Sequence, residues 1–213
     1  MEKDEVKFWS GEFGDSYTER NKGEQFISSN TVLFASALKK ASGIESILEI
    51  GCNRGLNLKA LKNLLPQATL TGIDVNANAL EEVKKWGEAT VLNCPVEQYD
   101  SDQMYDLVFT KGVLIHISPK NLSTAYEKLF KFSKSYLLVA EYFSPTPQEV
   151  EYRGHAGKLF KRDFAGELLE LYPNLSLLDY GFCYRLEVRL RGLHRPQDVH
   201  QDVVRLTVKL LRL

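Results

Sequence analysis

Short apolar runs alternate with segments of helical spacing between residues 46 and 142. The runs are almost continuous in apolar residues, which is typical of parallel strands buried on both faces. Regular alternation of strand and helix favours a sheet with helices packed on both of its sides. We therefore predict a Rossmann-like, doubly wound, mostly parallel α/β sheet, with central strands at residues 46–50, 68–75, 89–93, 105–110 and 135–142.

Two more stretches near the end of the chain alternate strictly between apolar and other residues, at 186–191 and 205–210. This alternation is the pattern of a strand with one buried face. These stretches bring the predicted sheet to seven strands and predict that it closes with an antiparallel strand.

The helices and the domain organisation follow from capping residues and from proline. Asn30 and Asn76 are placed to cap helices over 30–40 and 77–86, and the Ser118–Pro119 pair is typical of a helix start. Further helices are predicted at 56–65 and 163–172. We predict a single domain over 1–213, comprising an N-terminal helical cap at 1–45, a substrate-covering excursion at 144–163 and atypical C-terminal strands at 185–213.

The composition excludes several classes of partner. Lys and Arg number 27 against 28 Asp and Glu, so no global basic field would attract nucleic acid or a membrane surface. We expect a small-molecule partner. The three cysteines form no CxxC pair and share no metal-ligand spacing with the histidines, which predicts no metal site. No signal peptide or membrane span is recognisable, so we expect a soluble protein of the reducing cytoplasm.

The turn after the first strand indicates which class of nucleotide ligand the chain binds. Its sequence is LEIGCNRGLNL, at residues 48–58. A dinucleotide-binding GxGxxG turn needs a middle glycine for close approach of a pyrophosphate, and Asn53 stands between Gly51 and Gly55 instead. Glu49 would repel a pyrophosphate but suits a ligand that carries an ammonium, and Asp74 ends the second strand where an acid accepts ribose hydroxyls. These residues predict S-adenosylmethionine as the cofactor, with S-adenosylhomocysteine as its product.

The sequence resembles class I methyltransferases. LEIGCNRGLNL resembles their E/DxGxxxG first motif, and TGIDVN resembles their second. The segments 8–21, 64–76, 106–117 and 150–173 together resemble the pseudaminic acid biosynthesis-associated methylases, over residues 8 to about 184. From Arg185 the chain departs from that family's pattern. The resemblance implies methyl transfer to a hydroxyl or amine of a small anionic acceptor, a bacterial nonulosonic (pseudaminic) acid or its nucleotide-activated form.

Further cofactor contacts are expected at the ends of the strands and in the N-terminal segment. Trp9 and Tyr17 are expected to close over a sulfonium by cation–π attraction and Arg20 to pair with the methionine carboxylate, although packing of these aromatics on the core explains the segment equally well. The remaining expected contacts are those of Val75 beside Asp74, of Pro95 and Val96 with adenine, and of the Lys111 and Gly112 backbone with the methionine ammonium.

The acceptor site is expected after strands four and five. His116 is a candidate general base or a helix-packing histidine, and Glu141 is a candidate to hold or deprotonate an acceptor hydroxyl. The excursion supplies a cationic, aromatic group that either recognises an acceptor anion, with Arg153 as the best bidentate candidate, or is a solvated surface. The expected acceptor-binding residues are Tyr142, Tyr152, Arg153, His155 and Lys158.

Two other functions fit parts of this pattern. An NAD-dependent oxidoreductase or epimerase is disfavoured by Asn53 and by the absence of a Tyr-xxx-Lys pair in the sequence. A protein that binds S-adenosylmethionine without chemistry has the same cofactor motifs and stays open.

Overall fold

The computed structural model describes residues 3–184 and 205–213. Within these ranges one seven-stranded sheet forms the centre of the molecule, in the order β3-β2-β1-β4-β5-β9-β8. β9 runs antiparallel to both of its neighbours, β5 and β8. The neighbouring strands among the first five, β1 to β5, are all parallel to each other. The predicted fold class is therefore confirmed. The strands are β1 (Ser46–Ile50), β2 (Thr69–Asp74), β3 (Thr90–Asn93), β4 (Tyr105–Lys111), β5 (Ser133–Tyr142), β8 (Ser176–Tyr184) and β9 (Arg205–Arg212).

Helices cover both faces of the sheet. One apolar core lies against α6 and α7, and the other lies against α3, α4 and α5. Two N-terminal helices, α1 and α2, lie before this layered body in sequence. The helices are α1 (Lys3–Ser10), α2 (Glu12–Arg20), α3 (Glu24–Ala37), α4 (Leu56–Leu64), α5 (Ala77–Trp86), α6 (Leu122–Phe132) and α7 (Phe164–Leu171).

Two predicted helix starts are wrong. α3 begins at Glu24, and Asn30 is a buried residue inside it instead of its cap. α6 begins at Leu122, because Ser118 and Pro119 belong to a turn in which the Asn121 N–H donates to the Ser118 carbonyl oxygen (2.9 Å). The predicted cap of α5 is confirmed, since the Asn76 side chain accepts the Ala79 N–H at 2.9 Å.

The predicted excursion is an antiparallel hairpin, formed by β6 (Gln148–Tyr152) and β7 (His155–Lys161). Its two-residue turn places Arg153 at φ 52° and Gly154 at φ 83°. The hairpin stands apart from the main sheet and lies against the short 3₁₀ turn Leu114–His116. It therefore adds a second structured element at the carboxyl edge of the sheet.

The C-terminal predictions divide between the two described ranges. The strand predicted at 205–210 is confirmed as β9, which lies between β5 and β8. The strand predicted at 186–191 lies outside the described residues. In the part of the chain that the structure describes, no helix has both the length and the apolar character required to cross a membrane.

Candidate active site

A cavity opens at the carboxyl ends of β1, β2, β3 and β4, beneath α1 and α2. Its walls are the turn after β1, the end of β2, the loops after β3 and β4, and residues of α2, α3 and α4. In open parallel sheets ligands bind at this edge, where the strand order reverses. The sheet order places β1 and β4 at that reversal. Of the expected cofactor-binding residues, those lining the cavity are Trp9, Tyr17, Gly51, Asn53, Asp74, Val75, Pro95, Val96, Lys111 and Gly112.

The glycine turn owes its shape to left-handed backbone conformations. Gly51 has φ 75°, and a Cβ on it would lie 2.3 Å from a methyl carbon of Val113, so no larger residue fits. Asn53 has φ 46°, a conformation that asparagine tolerates better than most residues. Asn53 therefore keeps the turn closed without a middle glycine. Gly55 caps α4 and packs near Val83, and it does not line the cavity.

Asp74 binds the glycine turn through its carboxylate. One oxygen accepts the Asn53 N–H at 2.7 Å, and the other accepts the Asn76 N–H at 2.8 Å. Burial raises the pKa of Asp74, and these backbone bonds oppose the shift. The Val75 N–H also acts on this carboxylate, whose four lone-pair positions leave room for a further donor. Asp74 thus joins the first two sequence motifs and lines the cavity between them.

Glu49 lies one layer below the cavity wall. It is fully buried, and Asn57 donates from its side-chain amide to Glu49 Oε1 at 2.6 Å. Burial raises the pKa of Glu49 to about 8. Within residues 3–184 and 205–213, neither Glu49 Oε2 nor Asn57 Oδ1 has a hydrogen-bond partner. Asn57 and Lys111 line the cavity, whereas Glu49 does not. A ligand in the cavity would therefore contact Glu49 only beside the side chains of Asn57 and Lys111.

The helices α1 and α2 form a lid that is hydrogen-bonded to the cofactor motifs. The Asn53 amide donates to the Thr18 hydroxyl at 2.8 Å, and Asp15 accepts from the Asn76 amide at 2.9 Å. Trp9 and Tyr17 line the cavity with their rings edge to face, 5.6 Å apart. The lid therefore contacts the residues that flank Asp74.

Arg20 does not take the expected position. Its guanidinium lies 5.7 Å from the centre of the Phe13 ring, and Arg20 does not line the cavity. The residue that lines the cavity at this end of α2 is Asn21. The Asn21 amide donates to the Tyr17 carbonyl oxygen at 2.9 Å, so it fixes the end of the lid helix.

His116 lines the cavity from the 3₁₀ turn after β4. Its Nδ1 lies 2.6 Å from the Lys158 carbonyl oxygen, which can only accept, so the ring carries its proton on Nδ1 and leaves Nε2 as the basic nitrogen. Burial lowers the pKa of His116 to about 4, so the ring is neutral near pH 7. The His116 ring centre lies 4.4 Å from that of Trp9 and 5.0 Å from that of Tyr152.

Glu141 has a different environment from the expected one. It is buried, and one of its oxygens accepts from the Thr110 hydroxyl and from the Val113 and Leu114 N–H groups at 3.0–3.1 Å. Burial raises the pKa of Glu141 to about 7. Glu141 does not line the cavity, so the structure associates it with the shape of the 3₁₀ turn.

The expected acceptor-binding residues lie around the cavity rather than in its lining. Arg153 is exposed at the hairpin turn. His155 lies with its ring 5.0 Å from that of Phe8, and the Lys158 ammonium lies 5.0 Å from the centre of the same ring. Tyr152 contacts Trp9 and His116, while Tyr142 is half-buried against the core. The predicted cationic group is therefore distributed along the hairpin instead of converging on one point.

Sequence reasoning missed several cavity residues. Phe26 and Asn30 reach the cavity from α3, and Asn57 reaches it from α4. The helical spacing of α4 could have indicated that Asn57 faces the cavity. Phe26 and Asn30 could not be identified in this way, because the start of α3 was predicted wrongly. Among residues 3–184 and 205–213, no group of three or more His, Cys, Asp or Glu side chains is arranged to hold a metal ion.

Comparisons with known proteins match this geometry. Residues 48–135 match a family model described as "Methyltransferase domain". A malonyl-[acyl-carrier protein] O-methyltransferase of Anoxybacillus flavithermus is 35% identical over 71 residues, which are 32% of this chain and 27% of that protein. The chain thus spans about a quarter of the length of this curated relative. The family model therefore supports the predicted methyltransferase domain over residues 48–135.

Solved structures of methyltransferases share the fold over nearly the whole chain. The magnesium protoporphyrin IX methyltransferase of Synechocystis PCC 6803, with bound S-adenosylmethionine, has a TM-score of 0.67 at 13% identity and covers 97% of this chain and 94% of its own. A 1,6-didemethyltoxoflavin-N1-methyltransferase of Burkholderia thailandensis, with S-adenosylhomocysteine, has a TM-score of 0.65 at 16% identity and covers 94% and 84%. Both ligands agree with the predicted cofactor.

Proposed function

We propose that this protein is an S-adenosylmethionine-dependent methyltransferase that acts on a hydroxyl or amine of a small anionic acceptor. The observation that carries this proposal is one continuous cavity. It joins the Gly51 turn and Asp74 to His116 beneath the lid. A cofactor site and a basic nitrogen therefore open into the same space.

The residues present fit the cofactor. Asp74 has lone-pair capacity left for a ribose hydroxyl. The oxygens of Glu49 and Asn57 that have no partner among the described residues are acceptors for a donor such as an ammonium. Asn53 and the buried Glu49 disfavour a pyrophosphate, which supports this cofactor over NAD. When bound, S-adenosylmethionine supplies a methyl group on a sulfonium that is already activated for transfer.

The chain then has to position the acceptor, exclude water and accept a proton. The Lys158 carbonyl orients His116 so that Nε2 is its basic nitrogen, available for a proton from a hydroxyl or amine. Trp9 and Tyr17, in the lid, cover this region, and alignment of reactants in a closed site supplies much of the rate enhancement that such a transfer needs. We propose His116 as the catalytic base.

The acceptor class comes from the sequence resemblance and the hairpin. We propose a nonulosonic (pseudaminic) acid or its nucleotide-activated form, contacted by Tyr152, Arg153, His155 and Lys158 where the hairpin meets the lid. We further propose that the enzyme works in a reducing compartment, the cytoplasm, since Cys52 and Cys94 are free thiols.

Binding and transfer test this proposal separately. Calorimetry with S-adenosylhomocysteine and with NAD should give binding of the first alone; NAD binding without S-adenosylhomocysteine binding would refute it. Mass spectrometry after incubation with methyl-labelled S-adenosylmethionine and free or nucleotide-activated nonulosonic acids should then detect a labelled product. Cofactor binding without transfer to any component of nonulosonate-producing extracts would favour the non-catalytic alternative.

A further inference from the structure

Lys111 is a cation in the cavity wall with no ion pair. Within residues 3–184 and 205–213, no carboxylate oxygen lies within salt-bridge distance of its ammonium and no hydrogen bond engages it; Glu49 and Glu141 act on it only through longer-range electrostatics. The other cationic side chain of the lining, Arg54, donates to Glu82 and to the Thr18 carbonyl oxygen. Lys111 therefore has donors available for a ligand.

The place of Lys111 on the sheet relates it to one end of the cofactor. Asp74 and the loop Cys94–Val96 line the cavity at β2 and β3, where the proposed function puts the ribose and the adenine of the cofactor. The amino-acid end of the same molecule then extends toward β1 and β4, which are adjacent in the sheet. β1 and β4 pair through Glu49↔Phe109 and Ile50↔Thr110, so Lys111 comes directly after the paired residues, beside Gly51.

The groups around Lys111 complement a zwitterion. Glu49 Oε2 and Asn57 Oδ1 are buried acceptors without partners in the described part of the chain. Lys111 lines the same cavity as Asn57 and acts electrostatically on Glu49. Burial lowers the pKa of Lys111, as expected for an ammonium that lacks a close anion. A carboxylate from a ligand would supply that anion, and the ligand's own ammonium would satisfy the acceptors below.

We infer that the side chain of Lys111 binds the carboxylate at the amino-acid end of the cofactor, with Glu49 and Asn57 receiving its ammonium. This assignment rests on the proposed function and gives Arg20's expected role to Lys111. It makes Lys111 a residue that selects for cofactors with an intact amino acid. The part of the cavity lined by Trp9 and His116 then remains for the acceptor.

Two thioethers that differ only in the carboxylate test this inference. The purified full chain is titrated by calorimetry with S-adenosylhomocysteine and with S-adenosyl-3-thiopropylamine, its decarboxylated form. Because a charge-assisted contact is lost with the carboxylate, we expect the wild type to prefer S-adenosylhomocysteine by roughly 10- to 100-fold. In Lys111→Met the preference should fall to about threefold or less, through weaker S-adenosylhomocysteine binding alone. Lys85→Met, the same change at an exposed residue of α5, should keep the wild-type preference.

The outcomes separate the inference from the proposed function. Wild-type protein that binds neither thioether contradicts the proposed function; wild-type protein that binds both equally well contradicts only the inference. The inference is also overturned if Lys111→Met keeps the full preference for S-adenosylhomocysteine. It is overturned as well if Lys111→Met keeps its thermal unfolding transition but loses affinity equally for both thioethers. If Lys111→Met does not fold, Lys111→Arg decides, because it keeps the charge and must keep the preference.

Discussion

Replacing Asp74 by asparagine should strongly weaken cofactor binding. The carboxylate accepts backbone N–H groups with both oxygens, and the asparagine amide keeps only one acceptor, so a donor faces the Asn53 or Asn76 N–H. Under the proposed function, the ribose hydroxyls of the cofactor also lose a charged acceptor. A hydrogen bond to a charged group is worth about 1.5–3 kcal/mol, so loss of one to two such bonds predicts about 3 kcal/mol, or roughly 100-fold weaker binding. Calorimetry with S-adenosylhomocysteine measures this directly.

The control is Asp102→Asn, the same change in an exposed loop residue, which should bind as the wild type does. Loss of one bond to the turn should also lower the free energy of unfolding of Asp74→Asn by about 1–3 kcal/mol in a urea titration. Binding by Asp74→Asn within about threefold of the wild type would refute both the ribose assignment and the role of Asp74 in shaping the turn.

Three further predictions concern the walls of the cavity. Burial lowers the pKa of His116 from 6.5 to about 4, so the unfolded chain takes up this proton first and stability falls as pH drops through that window. In urea titrations, the wild type should lose up to about 3 kcal/mol of unfolding free energy between pH 7 and pH 4.5 through His116, and His116→Asn should not show this loss. The same difference between the two pH values in both proteins would contradict this prediction. Glu141→Gln keeps one oxygen for its donors, so we expect a loss of about 1–2 kcal/mol in unfolding free energy and kcat within about threefold, whereas a kcat about 100-fold lower at constant KM would assign it to chemistry. Asp15→Ala removes the acceptor of the Asn76 and Asn78 amides, so stopped-flow measurements should show S-adenosylhomocysteine leaving roughly 5- to 10-fold faster; an unchanged rate would exclude the lid bonds from retention.

The sheet could be predicted from sequence because its determinants are local. Each buried parallel strand is a short apolar run, and the runs predicted at 46–50 and 105–110 match β1 and β4 to within a residue. The cap at Asn76 was predictable because the side chain bonds an N–H only three residues away. Neither signal requires knowledge of tertiary packing.

The errors arose where tertiary contacts outweigh a local signal. Asn30 resembles a helix cap, but it lies inside α3, which begins six residues earlier after Gly23. The hairpin was missed because Arg153 has a left-handed conformation at the turn, where Asn, Asp or Gly would have been the recognisable signal. Arginine carries little turn information, so only the pairing of β6 with β7 reveals the hairpin.

The different positions of Lys111 and Glu141 show why side-chain direction could not be predicted. Both residues stand at the carboxyl end of a central strand, and the sequence places both at the ligand-binding edge. In the sheet Lys111 pairs with Ala140, so Glu141 is one residue out of step and its side chain points to the opposite face, where it binds Thr110. A one-residue difference in register thus separates a cation that lines the cavity from an acid that shapes a turn. For this reason we propose cofactor recognition by Lys111 and proton transfer to His116, which both line the cavity, whereas Glu141 does not.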